Sequence, residues 1–198
     1  MEALINAGGK GTRMGACGIE KPMLEIGGKH VVERVVEAVR DSPRISRVIV
    51  SVSPNTPETE RFLRDAGVET IRTSGEDFMQ DIHESFSVMD GKYVMTCPSD
   101  IPLITTGAVS RTVERFLPEM QSMIVLVSAD VVRSMGITPS YTRSVDGQEW
   151  VLSGVSVMDR EATLRGEYLN EEYLLTGWKE LAVNVNTQTE LALAREMF

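Results

Sequence analysis

The chain opens with a short apolar run at residues 3–7 that stops abruptly at Gly8-Gly9-Lys10-Gly11-Thr12. That junction predicts a buried strand feeding a glycine loop, because apolar side chains need a core and glycines permit the sharp change of direction that follows. The alternation then recurs. Val31, Val32, Val35, Val36 and Val39 fall at helical spacing and predict a helix over 30–40, and the β-branched run RVIVSV predicts a strand over 47–52. Ser53-Pro54-Asn55-Thr56-Pro57 reads as a turn, with Thr56 suited to a helix N-cap and Pro57 to the first turn of a helix reaching about residue 65. Strands over 68–72, 92–96 and 123–127, with helices over 78–89 and 105–116, continue the pattern.

Beyond residue 130 the pattern loosens. Residues 130–147 read as polar and turn-rich, 150–158 as a longer strand, 160–178 as short helices and loop, 181–185 as a strand and 187–197 as a closing helix. Strands alternating with helices predict an α/β fold, a Rossmann-like doubly wound and mostly parallel sheet with helices on both faces. The 198 residues suit one domain with a full core of its own.

A net charge of −9 argues against a nucleic-acid partner, which needs basic surface. Cys17 and Cys97 form neither a CxxC pair nor a zinc cluster, as expected in a reducing compartment. The N-terminus lacks the basic and apolar regions of a signal peptide, and no apolar run has the ~18 residues of a membrane span. These features predict a cytoplasmic protein without a membrane span.

The glycine loop offers backbone N–H groups unobstructed by Cβ atoms next to a helix start, which is an anion cradle. Lys10, Arg13 and Lys21 place three cations within a dozen residues of an otherwise acidic chain, and arginine can grip phosphate oxygens bidentately. Two familiar phosphate loops are excluded. Lys10 is followed by Gly11 rather than Ser or Thr, so this is no Walker A loop. The glycine spacing is one residue too long for GxGxxG, and the second strand ends in Ser53-Pro54-Asn55 instead of the acid that holds a ribose.

Asp100, in Pro98-Ser99-Asp100-Ile101-Pro102, would end the fourth strand and face the same crevice as the loop. A lone carboxylate opposite a phosphate cradle suits Mg²⁺, which takes few protein oxygens; a helix or turn cap is the equal alternative. Asn186 or Thr187 caps the last helix, or an asparagine there serves a metal. Thr73-Ser74-Gly75-Glu76-Asp77 either contacts a base or ribose or starts the next helix.

Taken together, residues 4–15 (LINAGGKGTRMG), Glu20-Lys21-Pro22, the Asp100 segment and Val185-Asn186-Thr187 resemble the signature of the NTP-transferase superfamily, which includes the molybdenum cofactor guanylyltransferases and the sugar-1-phosphate nucleotidylyltransferases. Within it, the short length, the SPNTP segment, Thr73-Ser74-Gly75 with Asp81, and residues 152–157 (LSGVSV) most resemble the archaeal-type adenosylcobinamide-phosphate guanylyltransferases. That subfamily often carries Gly-Tyr where this chain has Asp77-Phe78.

The resemblance implies a nucleotide-diphospho-sugar transferase type of fold. One domain would span 1–198, with a nucleotide-binding half over about 1–130 and an acceptor-binding half over about 131–198. It implies transfer of GMP from GTP, with Mg²⁺, to the phosphate of a phosphorylated corrinoid. Ala7, Gly8, Gly9, Lys10, Gly11 and Thr12 would bind the nucleotide phosphates. Arg13, Lys21 and Asp100 would act in catalysis, Asp100 and Asn186 (with Asn184 the other option) would hold the metal, and Ser53, Asn55, Ser74 and Asp81 would form the nucleoside pocket. An anionic nucleophile needs no general base, consistent with only His30 and His83 in the chain. A molybdenum cofactor guanylyltransferase and a non-catalytic nucleotide-binding module are the alternatives, and a homodimer is left open.

Overall fold

In a computed structural model, residues 1–12 and 18–198 are described. The predicted alternation is realised. Strand β1 (Glu2–Asn6) enters the glycine loop, and a 3-10 turn at Lys21–Met23 leads to a small hairpin of β2 (Glu25–Ile26) and β3 (Lys29–His30). There follow α1 (Val31–Arg40), β4 (Arg47–Val52), α2 (Pro57–Asp65), β5 (Glu69–Arg72), α3 (Phe78–Ser87), β6 (Tyr93–Pro98), α4 (Thr106–Arg115) and β7 (Ser122–Ser128). The second half comprises α5 (Ala129–Ser134), β8 (Thr142–Val145), β9 (Gln148–Asp159), α6 (Arg160–Leu164), β10 (Glu171–Thr176), a 3-10 turn at Lys179–Leu181 and α7 (Gln188–Glu196).

The main sheet runs β10-β7-β9-β6-β1-β4-β5, with β8 paired to β9. Within the main sheet β9 alone runs opposite to the other strands, so its pairings with β6, β7 and β8 are antiparallel and the rest are parallel. Alternate residues of β1 face opposite layers, as a pleated strand requires. Ala3 and Ile5 join α1, α2, α4 and α5 in one cluster, whereas Leu4 joins Ile82, Phe86 and Met89 at α3 on the other face. Helices therefore cover both faces of a mostly parallel sheet. None of the helices among the described residues is long and apolar enough to cross a membrane.

The second half differs from the sequence expectation. The stretch expected to be turn-rich contains α5 and β8, and the segment expected to hold only short helices and loop contains strand β10. β8 and β9 are joined by Asp146-Gly147, with φ of 51° and 76°, and Val145 pairs with Gln148. This is a two-residue hairpin turn whose Asp-Gly is a strong local signal. Residues 181–185, expected as a strand, belong to no strand. Val183 and Val185 are fully buried and pack with Leu191 and Ala194 of α7, so their apolar alternation reports burial rather than sheet pairing.

Two features of the sheet position the site. β1 and β6 are parallel neighbours with Asn6 opposite Pro98, so the glycine loop and the Asp100 segment leave one edge side by side. Ligands in doubly wound sheets sit at this kind of carboxyl-end crevice, where the strand order reverses. In addition, β9 bulges opposite Val125, where the register with β7 shifts between Ile124 and Leu126. The Ser153 hydroxyl plugs the bulge, donating to the Val125 carbonyl at 2.8 Å and accepting from the Val155 N–H at 3.1 Å. Gly154 sits there at φ 82°, and a Cβ on it would lie 2.8 Å from Pro98 Cγ. The glycine lets β9 pass tightly under the strand end that carries Asp100.

Candidate active site

Glycine-loop geometry is set from behind by the turns after β4 and β5. Gly8 is buried, and its carbonyl accepts hydrogen bonds from Ser53 Oγ at 2.6 Å and Asn55 Nδ2 at 3.4 Å. Asn55 Nδ2 also reaches the Gly75 carbonyl at 3.5 Å. Asp81 accepts the Gly75 N–H on both carboxylate oxygens at 3.1 Å and the Ser74 hydroxyl at 2.8 Å. Gly75 has φ 69°, and a Cβ there would come within 2.5 Å of Ser53 Oγ, so glycine alone allows the two turns to meet. Ser53, Asn55, Ser74 and Asp81 thus form a hydrogen-bonded frame beneath the loop. Lys10, exposed at the rim, pairs with Glu76 at 2.7 Å.

Across the crevice, Lys21, Asp100 and Asn186 converge. Lys21 Nζ donates to Asp100 Oδ2 and, at 2.7 Å, to Asn186 Oδ1; the lysine and aspartate side chains are largely buried. Asn184 Nδ2 donates to Asp100 Oδ1 at 3.2 Å and to the Ser153 carbonyl at 3.4 Å. Because a lysine only donates, and a carboxylate and a carbonyl only accept, these partners fix both amide orientations. Asn186 presents oxygen and Asn184 presents nitrogen. Asp100 is not a helix cap: Thr105 caps α4, accepting the Ala108 N–H at 3.1 Å. Thr187 caps α7 in a capping box with Glu190, which leaves the Asn186 side chain free to face the crevice.

Lys21 is held in place by its neighbour. Glu20 accepts the N–H groups of Glu58 and Thr59, each at 2.7 Å, and the Thr59 hydroxyl at 2.6 Å. A carboxylate at the start of α2 satisfies its orphan donors and its dipole. It replaces the expected Thr56 side-chain cap, whose hydroxyl instead accepts the Ser53 N–H at 3.1 Å.

A cleft of about 290 Å³ is lined by Ala7, Gly9, Lys10, Gly11, Thr12, Lys21, Asp100 and Asn186, together with Asn6, Pro22, Pro98 and Ser99. Behind the Asp100 and Asn186 wall lies a second hollow of about 230 Å³, lined largely from the second half by residues such as Ile137, Tyr141, Leu152 and Gly154. The predicted site residues therefore sort into groups. Ala7, Gly9, Lys10, Gly11 and Thr12 meet Lys21, Asp100 and Asn186 in one cleft. Gly8, Ser53, Ser74 and Asp81 stand behind it, and Asn55 lines a separate hollow on the outer side of the loop with Glu20 and Thr56. Arg13 lies outside the described residues. Sequence reasoning passed over Glu20 as an anchor, Asn6 and Ser99 as lining, and Asn184 as a donor; the Glu-Lys-Pro and Asn-Val-Asn-Thr spacings were the available signals.

Among the described residues no cluster of three or more His, Cys, Asp or Glu could hold a metal. One carboxylate oxygen and one amide oxygen aimed at the same point nevertheless fit Mg²⁺, a hard cation that takes one or two protein oxygens and completes its shell with phosphate and water. Cys97 is fully buried, and its thiol is pushed well up, first by burial and then by the Asp100 carboxylate. It is an inert core residue, not a nucleophile.

Residues 3–176 match the model of the MobA-like NTP transferase domain. The chain belongs to that family. It is accordingly a nucleotidyltransferase-family enzyme acting on a nucleoside triphosphate. It is 27% identical over 205 residues to the adenosylcobinamide-phosphate guanylyltransferase of Methanocaldococcus jannaschii, with 98% of this chain and 95% of the relative covered. The molybdenum cofactor guanylyltransferase of Shewanella halifaxensis is 24% identical over 122 residues, covering 60% of this chain and 57% of the relative. Among solved structures, the 4-diphosphocytidyl-2C-methyl-D-erythritol synthase of Anaerococcus prevotii superposes with a TM-score of 0.70 at 13% identity, covering 99% of this chain and 94% of that one. The fold is that of the nucleotide-diphospho-sugar transferases.

Proposed function

We propose that this family member transfers GMP from GTP to adenosylcobinamide phosphate, releasing pyrophosphate and forming adenosylcobinamide-GDP. The observation that carries the reading is the likeness to the corrinoid guanylyltransferase over 98% of this chain, which extends past residue 176 where the family model ends. The similarity to the molybdenum cofactor relative covers a smaller part of each chain.

In this reading the triphosphate lies along the glycine loop, its oxygens on the N–H groups of Gly9, Gly11 and Thr12. Gly8 acts through its anchored carbonyl rather than by touching phosphate. Lys10 at the rim, Lys21 in the cleft and, from the sequence, Arg13 neutralise the phosphates. The corrinoid phosphate comes from the side of the second hollow. One of its oxygens attacks the α-phosphorus, the bond from that phosphorus to the bridging oxygen breaks, and the electron pair leaves with pyrophosphate. No proton must be removed from the nucleophile. The protein therefore acts by alignment and charge neutralisation, which supply most of the acceleration in such transfers. Asp100 Oδ2 and Asn186 Oδ1 would hold Mg²⁺, which when bound supplies charge stabilisation on the phosphoryl oxygens. Ser53, Asn55, Ser74 and Asp81 shape the nucleoside side of the loop through the frame described above.

The test is pyrophosphate release from GTP, ATP, CTP or UTP with Mg²⁺ and either adenosylcobinamide phosphate or molybdopterin. Release dependent on GTP and the corrinoid is expected. Release only with molybdopterin, or a preference for another nucleotide, would overturn the assignment; GTP binding without release under any acceptor would favour a binding module.

A further inference from the structure

The Lys21 ammonium occupies the point at which the proposed metal ligands converge. Asp100 Oδ2 and Asn186 Oδ1, the latter 2.7 Å from Nζ, are the two protein oxygens that would hold the divalent ion, and both are hydrogen-bonded to one cation. Mg²⁺ needs oxygens at about 2.0–2.1 Å, so it and the ammonium cannot use this pair together. The two are competitors for one place.

We propose that Lys21 is a two-position residue that blocks the metal ligands until a nucleotide phosphate draws its ammonium away. This inference rests on the reading of Asp100 and Asn186 as metal ligands.

Three observations support the exchange. First, Lys21 is rooted beside the phosphate loop. A Cβ on Gly11 would lie 3.6 Å from Lys21 Cβ, and the flexible four-carbon stem lets the ammonium swing from Asp100 to a phosphate on the loop by side-chain rotation. Second, its backbone stays fixed during the swing, because Glu20 is tied by three hydrogen bonds to the start of α2. Third, Asp100 does not depend on the lysine for its orientation. Asn184 holds Oδ1 and is itself braced on the Ser153 carbonyl, while Asn186 Nδ2 is tied to the Asn184 carbonyl at 3.4 Å. When Nζ departs, Oδ2 of Asp100 and Oδ1 of Asn186 remain aimed at the same point, ready for a dication. A triphosphate provides both the charge that attracts the lysine and the remaining oxygens for the metal. Metal and nucleotide loading are thereby coupled through one side chain.

The exchange is tested by binding of Mn²⁺, a paramagnetic substitute for Mg²⁺, titrated by electron paramagnetic resonance with and without GTP. Wild type should bind Mn²⁺ weakly alone and much more tightly with GTP. Lys21→Met should bind Mn²⁺ alone about tenfold more tightly than wild type or better, since a cation at contact distance no longer opposes it. Lys21→Gln, which keeps a polar group but no charge, should behave alike and serves if the methionine variant folds poorly. Adding Asp100→Asn should abolish the gain. Unchanged Mn²⁺ affinity in both folded Lys21 variants, or a gain that survives Asp100→Asn, would overturn the exchange. Failure of the ligand reading looks different: wild type and Asp100→Asn would then bind Mn²⁺ equally with GTP. The identity of the acceptor does not enter the measurement.

Discussion

Lys21 and Asp100 show how much chemistry two side chains carry when their surroundings are dry. Each is mostly buried, so in the proposed roles the charge each would present to a phosphate or a metal is weakly screened. Lys21→Ala, Asp100→Ala and, from the sequence, Arg13→Ala are each expected to lower turnover by about 100-fold or more, as removal of a charge-stabilising group does elsewhere. Steady-state kinetics on folded variants check this; wild-type turnover in all three would sink the proposed roles. The identity of these residues was legible in the chain. Their spacing around glycines and at strand ends marked Lys21, Asp100 and Asn186 as candidates. Their mutual contacts were not legible, because 79 residues separate Lys21 from Asp100 and 165 separate it from Asn186.

At the scale of elements, the cleft depends on how helix starts and strand ends are tied down. Glu20 caps α2 and, as the neighbour of Lys21, sets where that lysine begins. Glu20→Ala should destabilise the protein by about 0.5–2 kcal/mol, the usual cost of losing a helix cap, measurable by urea unfolding. It should also reduce turnover at saturating nucleotide. Loss of stability with unchanged turnover would show that the cap does not position Lys21. Sequence reasoning placed the helix at residue 57 correctly from Pro57 but credited the cap to Thr56. A local rule cannot see a carboxylate supplied from 38 residues away. The unexpected β8 and β10 have a related origin. β8 is exposed and β10 half-exposed, so neither shows the apolar run that marked the interior strands.

For the molecule as a whole, the edge of the sheet opposite the site carries a charge network that ties three strands together. Glu2, nearly buried, accepts the N–H groups of Asp90 at 2.8 Å and Gly91 at 2.6 Å and pairs with Arg47, which also grips Glu69. Burial pushes the Glu2 carboxyl up, but the Gly91 and Asp90 N–H groups and the Arg47 guanidinium outweigh it and hold the group below its ordinary value. A depressed carboxyl adds stability that is present above the ordinary value near 4.5 and is lost as pH falls through the folded-state value. Glu2→Gln should therefore flatten the fall in unfolding free energy below about pH 4.5, measured by denaturant titration across pH. An acid limb identical to wild type would show that the network contributes nothing there.

The amino-acid sequence by itself determined the α/β class, the order of the interior strands and helices through β7 apart from the small β2–β3 hairpin, and the residue types that line the candidate cleft, because each follows from local periodicity or from a motif within a few positions. Only the tertiary structure decided that β9 runs antiparallel between β6 and β7, that residues 181–185 are buried without pairing, that Asn186 offers oxygen where Asn184 offers nitrogen, and that the Lys21 ammonium stands where the Asp100 and Asn186 oxygens meet. These are relations between groups far apart in the chain, set by the packing of the whole sheet, and local pattern carries no information about which distant partner a side chain will meet.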